Sequence, residues 1–269
     1  MSGGGSFGPP RARSLAGRVA IVTGAARGIG RAIALRFSHE GCRLVLCDRE
    51  VGSLHATAAA ILHGGGSVVA VGCDICDDDA PGALVASAVD RFGRLDVLVN
   101  NAGVVEMGYI QDVTTDDYDR VMDVDVHAVI RMTRASVDPL RASGRGRIVN
   151  LGSIEGVRGS APLPLYCAAK HAVVGITRAT ALQLGRYGIT VNAICPGPVE
   201  TEMIKPALKH PDSKRRLLRH IPVGRLGTPN DVAGVACFLA GDDAAYVNGH
   251  ALVVDGGMSA DAMGAEKLP

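Results

Sequence analysis

Short apolar segments rich in β-branched residues alternate with longer segments of helical length from Arg18 onward. Most of the short segments are continuous apolar runs, which is typical of strands that are buried on both faces. This alternation predicts an α/β fold, in which helices cover both faces of a parallel sheet with right-handed crossovers. The predicted strands are residues 19–23, 43–47, 67–72, 95–99, 147–151, 190–194 and 251–254, and the longer predicted helices are residues 28–40, 115–142 and 165–188.

The chain is predicted to form one domain over residues 17–257, because no linker or internal repeat divides it. Residues 1–16 are rich in Gly and Pro and lack the apolar run of a signal peptide, so we predict a disordered lead-in. Residues 258–269 are predicted to be a C-terminal tail. The sequence has no run of about 18 apolar residues, so no membrane span is predicted.

The charge balance and the cysteine content limit which binding partners and which cellular compartment are expected. The 28 Lys and Arg residues nearly balance the 27 Asp and Glu residues, so net charge favours neither nucleic acid nor an anionic membrane. The seven scattered cysteines do not form a disulfide pattern, and reduced thiols favour the cytoplasm. Cys73 and Cys76 form a C-x-x-C pair, but no histidines or second pair accompany them at ligand spacing, so no metal site is predicted. A small-molecule ligand remains the expected partner.

A glycine-rich turn, TGAARGIG from Thr23 to Gly30, directly follows the first predicted strand and leads into a helix. Gly24 permits a tight turn, Gly28 lets the backbone approach a pyrophosphate, and Gly30 allows helix and strand to pack closely. The N-terminus of the helix presents free N–H groups and the positive end of its dipole to phosphates. No Gly-Lys-Ser/Thr follows, which excludes the phosphate loop of an NTPase. The turn therefore predicts a dinucleotide site.

Asp48 follows the second predicted strand, about 20 residues beyond the turn, where a carboxylate can accept hydrogen bonds from the adenosine ribose. A carboxylate at this position repels a 2′-phosphate, which predicts NAD rather than NADP. Arg27 and Arg49 lie close by in the sequence and argue for NADP. We expect the acid to decide the preference, because it occupies the ribose position itself.

Tyr166 and Lys170 are spaced i, i+4 in a predicted helix and therefore share a face. Ser153 lies just past a buried strand, at the edge of the sheet where α/β proteins bind ligands. An ammonium group and a positive nicotinamide ring beside the phenol are expected to lower the pKa of Tyr166, so that it can take the proton of an alcohol. Ser153 is expected to hydrogen-bond the same oxygen.

Five motifs occur in order along the chain: the glycine turn, Asn100-Asn101-Ala102-Gly103, Ser153, Tyr166-x-x-x-Lys170 and the loop from Pro196 to Thr201. Together they resemble the single-domain branch of the short-chain dehydrogenase/reductase family, from about Leu15 to Gly257. The resemblance implies a Rossmann-type doubly wound sheet of seven parallel strands and a homotetramer or homodimer. It makes Tyr166 the catalytic acid/base, Ser153 the substrate-orienting hydroxyl, and Lys170 the residue that holds the nicotinamide ribose. The cofactor-binding residues that it implies are Gly24, Arg27, Gly28, Ile29, Gly30, Asp48, Arg49, Asp74, Ile75, Asn101, Ala102, Gly103, Tyr166, Lys170, Pro196, Gly197, Val199 and Thr201.

One position departs from the family's pattern, because Asp125 stands where the family usually has an asparagine. In the family this residue helps to hold a water chain from the lysine, largely through its main-chain carbonyl, so Asp125 is predicted to belong to the catalytic site. The aspartate keeps that carbonyl but loses the amide donor and adds a charge, and we expect activity with an altered pH dependence. Asn100 is expected to stabilise the central strand, and Asp96 to be a solvated residue at a strand start.

Two features bear on the substrate. Glu155 follows Ser153 by two residues, so its carboxylate either accepts hydrogen bonds from a polyhydroxylated substrate or turns to solvent or caps a helix. By resemblance, residues 205–220 form a lid over the substrate. The charge of this lid either attracts an anionic substrate or forms a solvated helix face. The cations of the segment are Lys205, Lys209, Lys214, Arg215, Arg216 and Arg219.

These features predict an NAD-dependent oxidoreductase that interconverts a secondary alcohol, including a polyol or sugar hydroxyl, and a ketone. The main alternative is an NADPH-dependent 3-oxoacyl-carrier or thioester reductase, for which Arg131 offers a basic residue that an acidic carrier could contact. An alternative of another class is a cofactor-binding regulatory or assembly protein without turnover.

Overall fold

The computed structural model describes residues 14–208 and 211–260, and within them it has one seven-stranded parallel sheet in the order β3-β2-β1-β4-β5-β6-β7. This topology confirms the predicted doubly wound α/β fold. The strands are β1 (Val19–Thr23), β2 (Arg43–Asp48), β3 (Val68–Gly72), β4 (Val97–Asn100), β5 (Arg147–Leu151), β6 (Thr190–Pro196) and β7 (Ala251–Val254).

Helices connect consecutive strands. The α-helices of the described residues are α1 (Gly28–His39), α2 (Val51–His63), α3 (Ala80–Phe92), α4 (Thr115–Met122), α5 (Ala128–Ser143), α6 (Pro164–Leu184), α7 (Pro211–Arg219) and α8 (Pro229–Ala240). Local sequence fixes several helix ends. Thr114 and Asp117 form a reciprocal capping box at the start of α4, and Gly93 ends α3 in the left-handed conformation with φ of 78°.

The predicted helix over residues 115–142 is interrupted in the structure. A π-helical turn over Asp123–His127 separates α4 from α5. Such wide turns recur at functional sites, because the extra residue in the turn redirects the side chains around it. Here the turn carries Asp125, which is fully buried.

Two apolar layers flank the sheet. On one face α1 and α8 pack together over side chains such as Phe37 and Val232. On the other face α3, α5 and α6 cover Leu98 and Ile148. Because both faces are covered, the strands read as continuous apolar runs in the sequence. The order of the strands reverses between β1 and β4, and this switch point opens a crevice at their carboxyl ends.

The packed body begins earlier than residue 17. Leu15 is fully buried, and the backbone N–H of Ser14 donates to Glu40 Oε2 at 3.0 Å, so the predicted lead-in is too long at its C-terminal end. Residues 1–13 and 261–269, which make up most of the predicted lead-in and tail, lie outside the described residues, as does Lys209.

Asp96 is not solvated, contrary to expectation. It is fully buried at the amino end of β4, where it accepts hydrogen bonds from Val19 N (2.9 Å), from Arg94 (2.6 and 2.8 Å) and from Arg145 (3.0 Å). Burial alone would raise the pKa of this carboxyl, but these donors outweigh it and the pKa is lowered. Asn100 does stabilise the central strands, since its Nδ2 donates to Asn150 Oδ1 at 2.8 Å.

Candidate active site

A cavity of about 640 Å³ opens at the carboxyl ends of the strands. This volume is within the usual range for small-molecule sites. Most of the predicted site residues line it together, namely Gly24, Arg27, Ile29, Asp48, Arg49, Asp74, Ile75, Asn101, Ala102, Gly103, Ser153, Glu155, Tyr166, Lys170, Pro196, Gly197, Val199 and Thr201. Gly28, Gly30 and Asp125 are not part of the cavity wall.

The glycine turn has the shape that a dinucleotide requires. Gly24 and Gly28 have φ of 64° and 56°, conformations that other residues rarely adopt. A Cβ on Gly30 would lie 2.1 Å from the carbonyl oxygen of Gly24. The first turn of α1 has no acidic residue, and Arg27 makes no side-chain cap, so the helix leaves N–H groups free for phosphate oxygens.

Asn101 holds this turn against the end of β4. Its Nδ2 donates to the carbonyls of Thr23 (2.8 Å) and Gly24 (3.0 Å). The hydroxyl of Thr23 in turn accepts from the backbone N–H groups of Asn101 and Ala102, both at 3.0 Å. The Asn101 side chain therefore keeps the crevice between β1 and β4 in one shape.

At the end of the cavity near β2 and β3, acidic side chains lie at the strand ends and basic side chains lie at the rim. Asp48 Oδ2 accepts from Ala26 N at 2.9 Å, and Oδ1 accepts from Glu50 N at 3.0 Å. Asp74 Oδ1 accepts from Cys76 N at 2.9 Å. Arg27 and Arg49 are exposed at the same end. The carboxylate of Asp48 is thus fixed in place, whereas the two guanidinium groups lie in solvent.

At the other end of the cavity, the side chains of Ser153, Tyr166 and Lys170 lie close together. Lys170 is buried, and its Nζ donates to Leu151 O at 3.1 Å and lies 5.5 Å from the centre of the Tyr166 ring. Ser153 Oγ accepts from Glu155 N at 3.1 Å. Helix α6 can approach this closely because Gly156 has no side chain: a Cβ there would be 2.6 Å from the carbonyl oxygen of Lys170.

Asp125 reaches Lys170 from the π-helical turn. Its Oδ2 is 3.0 Å from Lys170 Nζ, and its Oδ1 accepts from Val104 N at 2.7 Å. Both charged groups are almost fully buried. A Cβ on Gly103 would lie within 3.5 Å of both side chains, so the glycine allows the chain to pass over the pair.

The protein by itself does not produce the predicted lowering of the Tyr166 pKa. Burial raises this pKa. The Lys170 ammonium and the Ser153 hydroxyl lower it, whereas the carboxylates of Asp125 and Glu155 raise it, and the net direction is upward. Burial would lower the pKa of Lys170, but Asp125 and Tyr166 outweigh it and raise that pKa. Lys170 therefore stays protonated beside the phenol.

Glu155 does not turn to solvent. It is 8% exposed, its Oε1 lies 3.1 Å from Arg158 Nη2, and its Oε2 has no hydrogen-bond partner. Arg158 Nε is also without one. Sequence reasoning missed Arg158, together with the apolar wall residues Met107 and Met258. Met107 and Met258 come from segments far from Ser153 in the chain, and no motif marks any of the three residues.

The predicted lid lies over the cavity only in part. Within residues 205–220 Leu217 lines the cavity, as do Met203 and Ile204 just before this segment, while Lys214, Arg215, Arg216 and Arg219 are exposed on α7. Arg131, considered above as a contact for a carrier, donates to Asp78 at 2.9 Å. In the part of the chain that the structure describes, no cluster of three or more His, Cys, Asp or Glu side chains could hold a metal ion. No helix among those residues is long and apolar enough to cross a membrane.

A doubly wound sheet, with a glycine turn, Ser153, Tyr166 and Lys170 around one cavity at the carboxyl ends of its strands, is the arrangement expected of a nicotinamide-type oxidoreductase. The family model described as "Enoyl-(Acyl carrier protein) reductase" matches residues 24–259. Galactitol 2-dehydrogenase of Agrobacterium fabrum is 37% identical over 250 residues, which cover 89% of this chain and 96% of that protein. Sorbitol dehydrogenase of Cereibacter sphaeroides is 38% identical over 253 residues, covering 90% and 98%.

A solved structure shows the same architecture. It is described as a putative NAD(P)-dependent gluconate 5-dehydrogenase from Beutenbergia cavernae with bound NADP. It superposes with a TM-score of 0.88 at 38% identity, covering 93% of this chain and all of the other. The chain therefore belongs to the short-chain dehydrogenase/reductase family. It is an NAD(P)-dependent oxidoreductase that acts on the CH–OH group of secondary alcohols.

Proposed function

We propose that the protein is an NAD(H)-dependent dehydrogenase of a polyhydroxylated secondary alcohol, with Ser153, Tyr166 and Lys170 as its catalytic residues. The observation that carries the proposal is that these three side chains line the same cavity as the glycine turn and Asp48. The dinucleotide supplies the hydride acceptor when it is bound. Tyr166 takes the hydroxyl proton of the alcohol, and Ser153 Oγ hydrogen-bonds the same oxygen.

The cofactor preference rests on Asp48. Its two oxygens are held by the N–H groups of Ala26 and Glu50, so the carboxylate cannot easily move away from a 2′-phosphate. The relative with bound NADP and the exposed Arg27 and Arg49 argue for NADP. A carboxylate at the ribose position is a fixed repulsive charge, whereas two solvated guanidinium groups are screened and must be ordered before they bind. We therefore assign NAD.

The remaining cofactor contacts are assigned along the cavity wall and the glycine turn beside it. The free N–H groups at Gly28, Ile29 and Gly30 are assigned to the phosphates, and Asp74 with Ile75 to the adenine. The segment Asn101–Ala102–Gly103 is assigned to the adenosine ribose. Lys170 is assigned to the nicotinamide ribose, and the loop residues Pro196, Gly197, Val199 and Thr201 to the carboxamide side. A parallel bridge between Val199 and Gly227 holds that loop.

The substrate class rests on Glu155 and Arg158. The pair is neutral as a whole, yet it leaves one acceptor and one donor without partners beside Ser153. A hydroxyl group can donate to the carboxylate and accept from the guanidinium, which a hydrocarbon cannot do. The galactitol and sorbitol dehydrogenases among the relatives act on polyols by name. A polyol or sugar is therefore the proposed substrate.

The first experiment measures absorbance at the reduced-nicotinamide band with NAD or NADP and a panel of secondary alcohols, polyols, sugars and hydroxyacyl thioesters. We expect a higher kcat/KM with NAD and with polyols. Tyr166→Phe is expected to lower kcat by about 10²–10⁴-fold while NAD still binds. Tyr187→Phe is the matched control, because Tyr187 lies outside the cavity against Arg141 and Arg186. Its kcat should equal that of wild type.

Two results would contradict the assignment. A preference for NADPH with thioesters would favour the reductase alternative, for which the description of the family model is an argument. Cofactor binding without turnover of any alcohol would favour the regulatory or assembly protein.

A second experiment addresses Glu155. Only a hydroxyl-rich substrate needs the carboxylate of Glu155. Glu155→Gln is therefore expected to raise the KM for a polyol several-fold and to leave the KM for a simple secondary alcohol unchanged. Equal effects on both substrates would show that Glu155 supports the wall and does not bind substrate.

The oligomeric state and the compartment remain predictions. We propose a homotetramer or homodimer in the cytoplasm. Ile110, Tyr118 and Ile130 are exposed apolar side chains on and near α4 and α5, and an apolar surface of this kind supports contact between subunits.

A further inference from the structure

Cys73 faces Cys47 and not Cys76, its neighbour in the C-x-x-C pair. The Sγ atoms of Cys47 and Cys73 are 3.2 Å apart, and neither thiol is in a disulfide. Cys47 lies in β2 and is 1% exposed, whereas Cys73 follows β3 and is partly exposed. A disulfide has a sulfur–sulfur distance of about 2.05 Å, so the two sulfurs need to approach by about 1.2 Å.

The two thiols lie at the end of the cavity assigned to adenosine. Both line its wall, and each directly precedes one of the two acids of that end, Asp48 and Asp74. The strands are in register there, with Asp48 beside Gly72, and Cys73 N donates to Asp48 O at 3.3 Å. A bond between the sulfurs would therefore draw together the two strand ends that carry these acids.

We propose that Cys47 and Cys73 form an oxidisable thiol pair, which a peroxide closes into a disulfide and which in that form weakens NAD binding. The Cys73 thiolate attacks one peroxide oxygen, giving a sulfenic acid and releasing hydroxide. The Cys47 thiol then attacks the sulfenic sulfur, and water leaves as the S–S bond forms. Overall, two thiols lose two electrons and two protons, and one hydrogen peroxide is reduced to two waters.

The order of the two steps follows from access. Cys73 is the thiol that a peroxide can reach, and Cys47 is covered but in contact with it. The hydrogen bond from Cys47 lowers the pKa of the Cys73 thiol, although burial and the carboxylates of Asp77, Asp74 and Asp48 oppose this. The same contact and burial raise the pKa of Cys47. Cys73 is therefore the attacking thiol and Cys47 the resolving one.

The experiment treats the reduced full-length protein with hydrogen peroxide, blocks free thiols, digests without reductant and identifies linked peptides by mass spectrometry. We expect a Cys47–Cys73 linkage that dithiothreitol removes. Calorimetry on the oxidised protein is expected to show a Kd for NAD raised by about 5-fold or more, reversed by the reductant. The first readout needs neither turnover nor cofactor, so a failure of this inference can be told apart from a failure of the proposed function.

Variants distinguish this pair from the C-x-x-C pair. Cys76 does not line the cavity, so Cys76→Ser is expected to bind NAD and to form the linkage like wild type. Cys47→Ser should stop at a Cys73 sulfenic acid that dimedone traps. A Cys73–Cys76 linkage, or no intramolecular linkage, would overturn the proposal. A Cys47–Cys73 linkage with an unchanged Kd for NAD would overturn its effect on binding.

Discussion

Asp125 and Lys170 form a buried ion pair next to the proposed catalytic tyrosine. A buried carboxylate is tolerated there because Lys170 and the N–H of Val104 both face it. The charge of the lysine is thereby partly cancelled at the phenol, and this is one reason why the pKa of Tyr166 is raised in the protein itself. The family's usual asparagine would leave the ammonium uncompensated.

The charge of Asp125 is expected to set the pH dependence. The carboxylate raises the pKa of Tyr166, so Asp125→Asn should lower that pKa. The rising limb of kcat against pH for alcohol oxidation should then shift to lower pH, because the tyrosinate forms earlier. Steady-state kinetics over a pH series would measure this shift.

Asp123→Asn is the matched control, because Asp123 lies on the same turn but is exposed and contacts His127. Its pH profile should match wild type. If Asp125→Asn also left the profile unchanged, the charge at this position would have no part in catalysis.

At the scale of elements, β1, the glycine turn and α1 act as one unit with the end of β4. Gly30 is the point of closest approach, since a Cβ there would meet Gly24 O at 2.1 Å and Asn101 Nδ2 at 2.4 Å. The turn is thus held by packing between α1 and the chain that follows β4, as well as by its own glycines.

Gly30→Ala is expected to open this unit. The added methyl group must displace backbone, so we expect a loss of about 1–3 kcal/mol in the free energy of unfolding together with weaker NAD binding. Urea denaturation and calorimetry would measure the two effects. Gly82→Ala in α3, where a Cβ meets nothing within 4 Å, should instead stabilise the protein by about 0.4–1 kcal/mol. If Gly30→Ala left the affinity for NAD unchanged, the close contact at Gly30 would have no part in shaping the cofactor site.

At the scale of the whole molecule, charged side chains stabilise the edge of the sheet opposite the cavity. Asp96 connects Val19 at the start of β1 with Arg94 and Arg145, which precede β4 and β5. It thereby ties together the amino ends of three neighbouring strands. Because these groups come from segments far apart in the chain, the cluster stabilises the native fold and is lost on unfolding.

Asp96→Asn is expected to lower the free energy of unfolding by about 2 kcal/mol at neutral pH. The folded-state pKa of Asp96 lies below its usual value, so its stabilisation is present above about pH 4 and is lost as the pH falls through the folded-state value. The difference between variant and wild type should therefore shrink in acid. Denaturation curves over a pH series would test this, with the exposed Asp90→Asn as control. A difference that does not depend on pH would mean that the charge contributes nothing.

Local pattern in the sequence determined the fold and the frame of the site. The continuous apolar runs predicted the strands to within about two residues, since burial on both faces leaves a direct mark on composition. The glycine turn, Asp48 and the i, i+4 spacing of Tyr166 and Lys170 are short-range features, so they too could be read from the chain, and the structure places them around one cavity.

Tertiary structure alone decided the contacts between distant segments. Four features depend on which strands and turns become neighbours. They are the burial of Asp96, the ion pair of Asp125 with Lys170, the contact of Glu155 with Arg158 inside the cavity wall, and the pairing of Cys73 with Cys47. The charge or thiol of each residue is visible in the sequence, but its partner is set by strand order and helix packing. For the same reason the net direction of the Tyr166 pKa, a balance of burial and four neighbouring groups, could not be obtained from the motif.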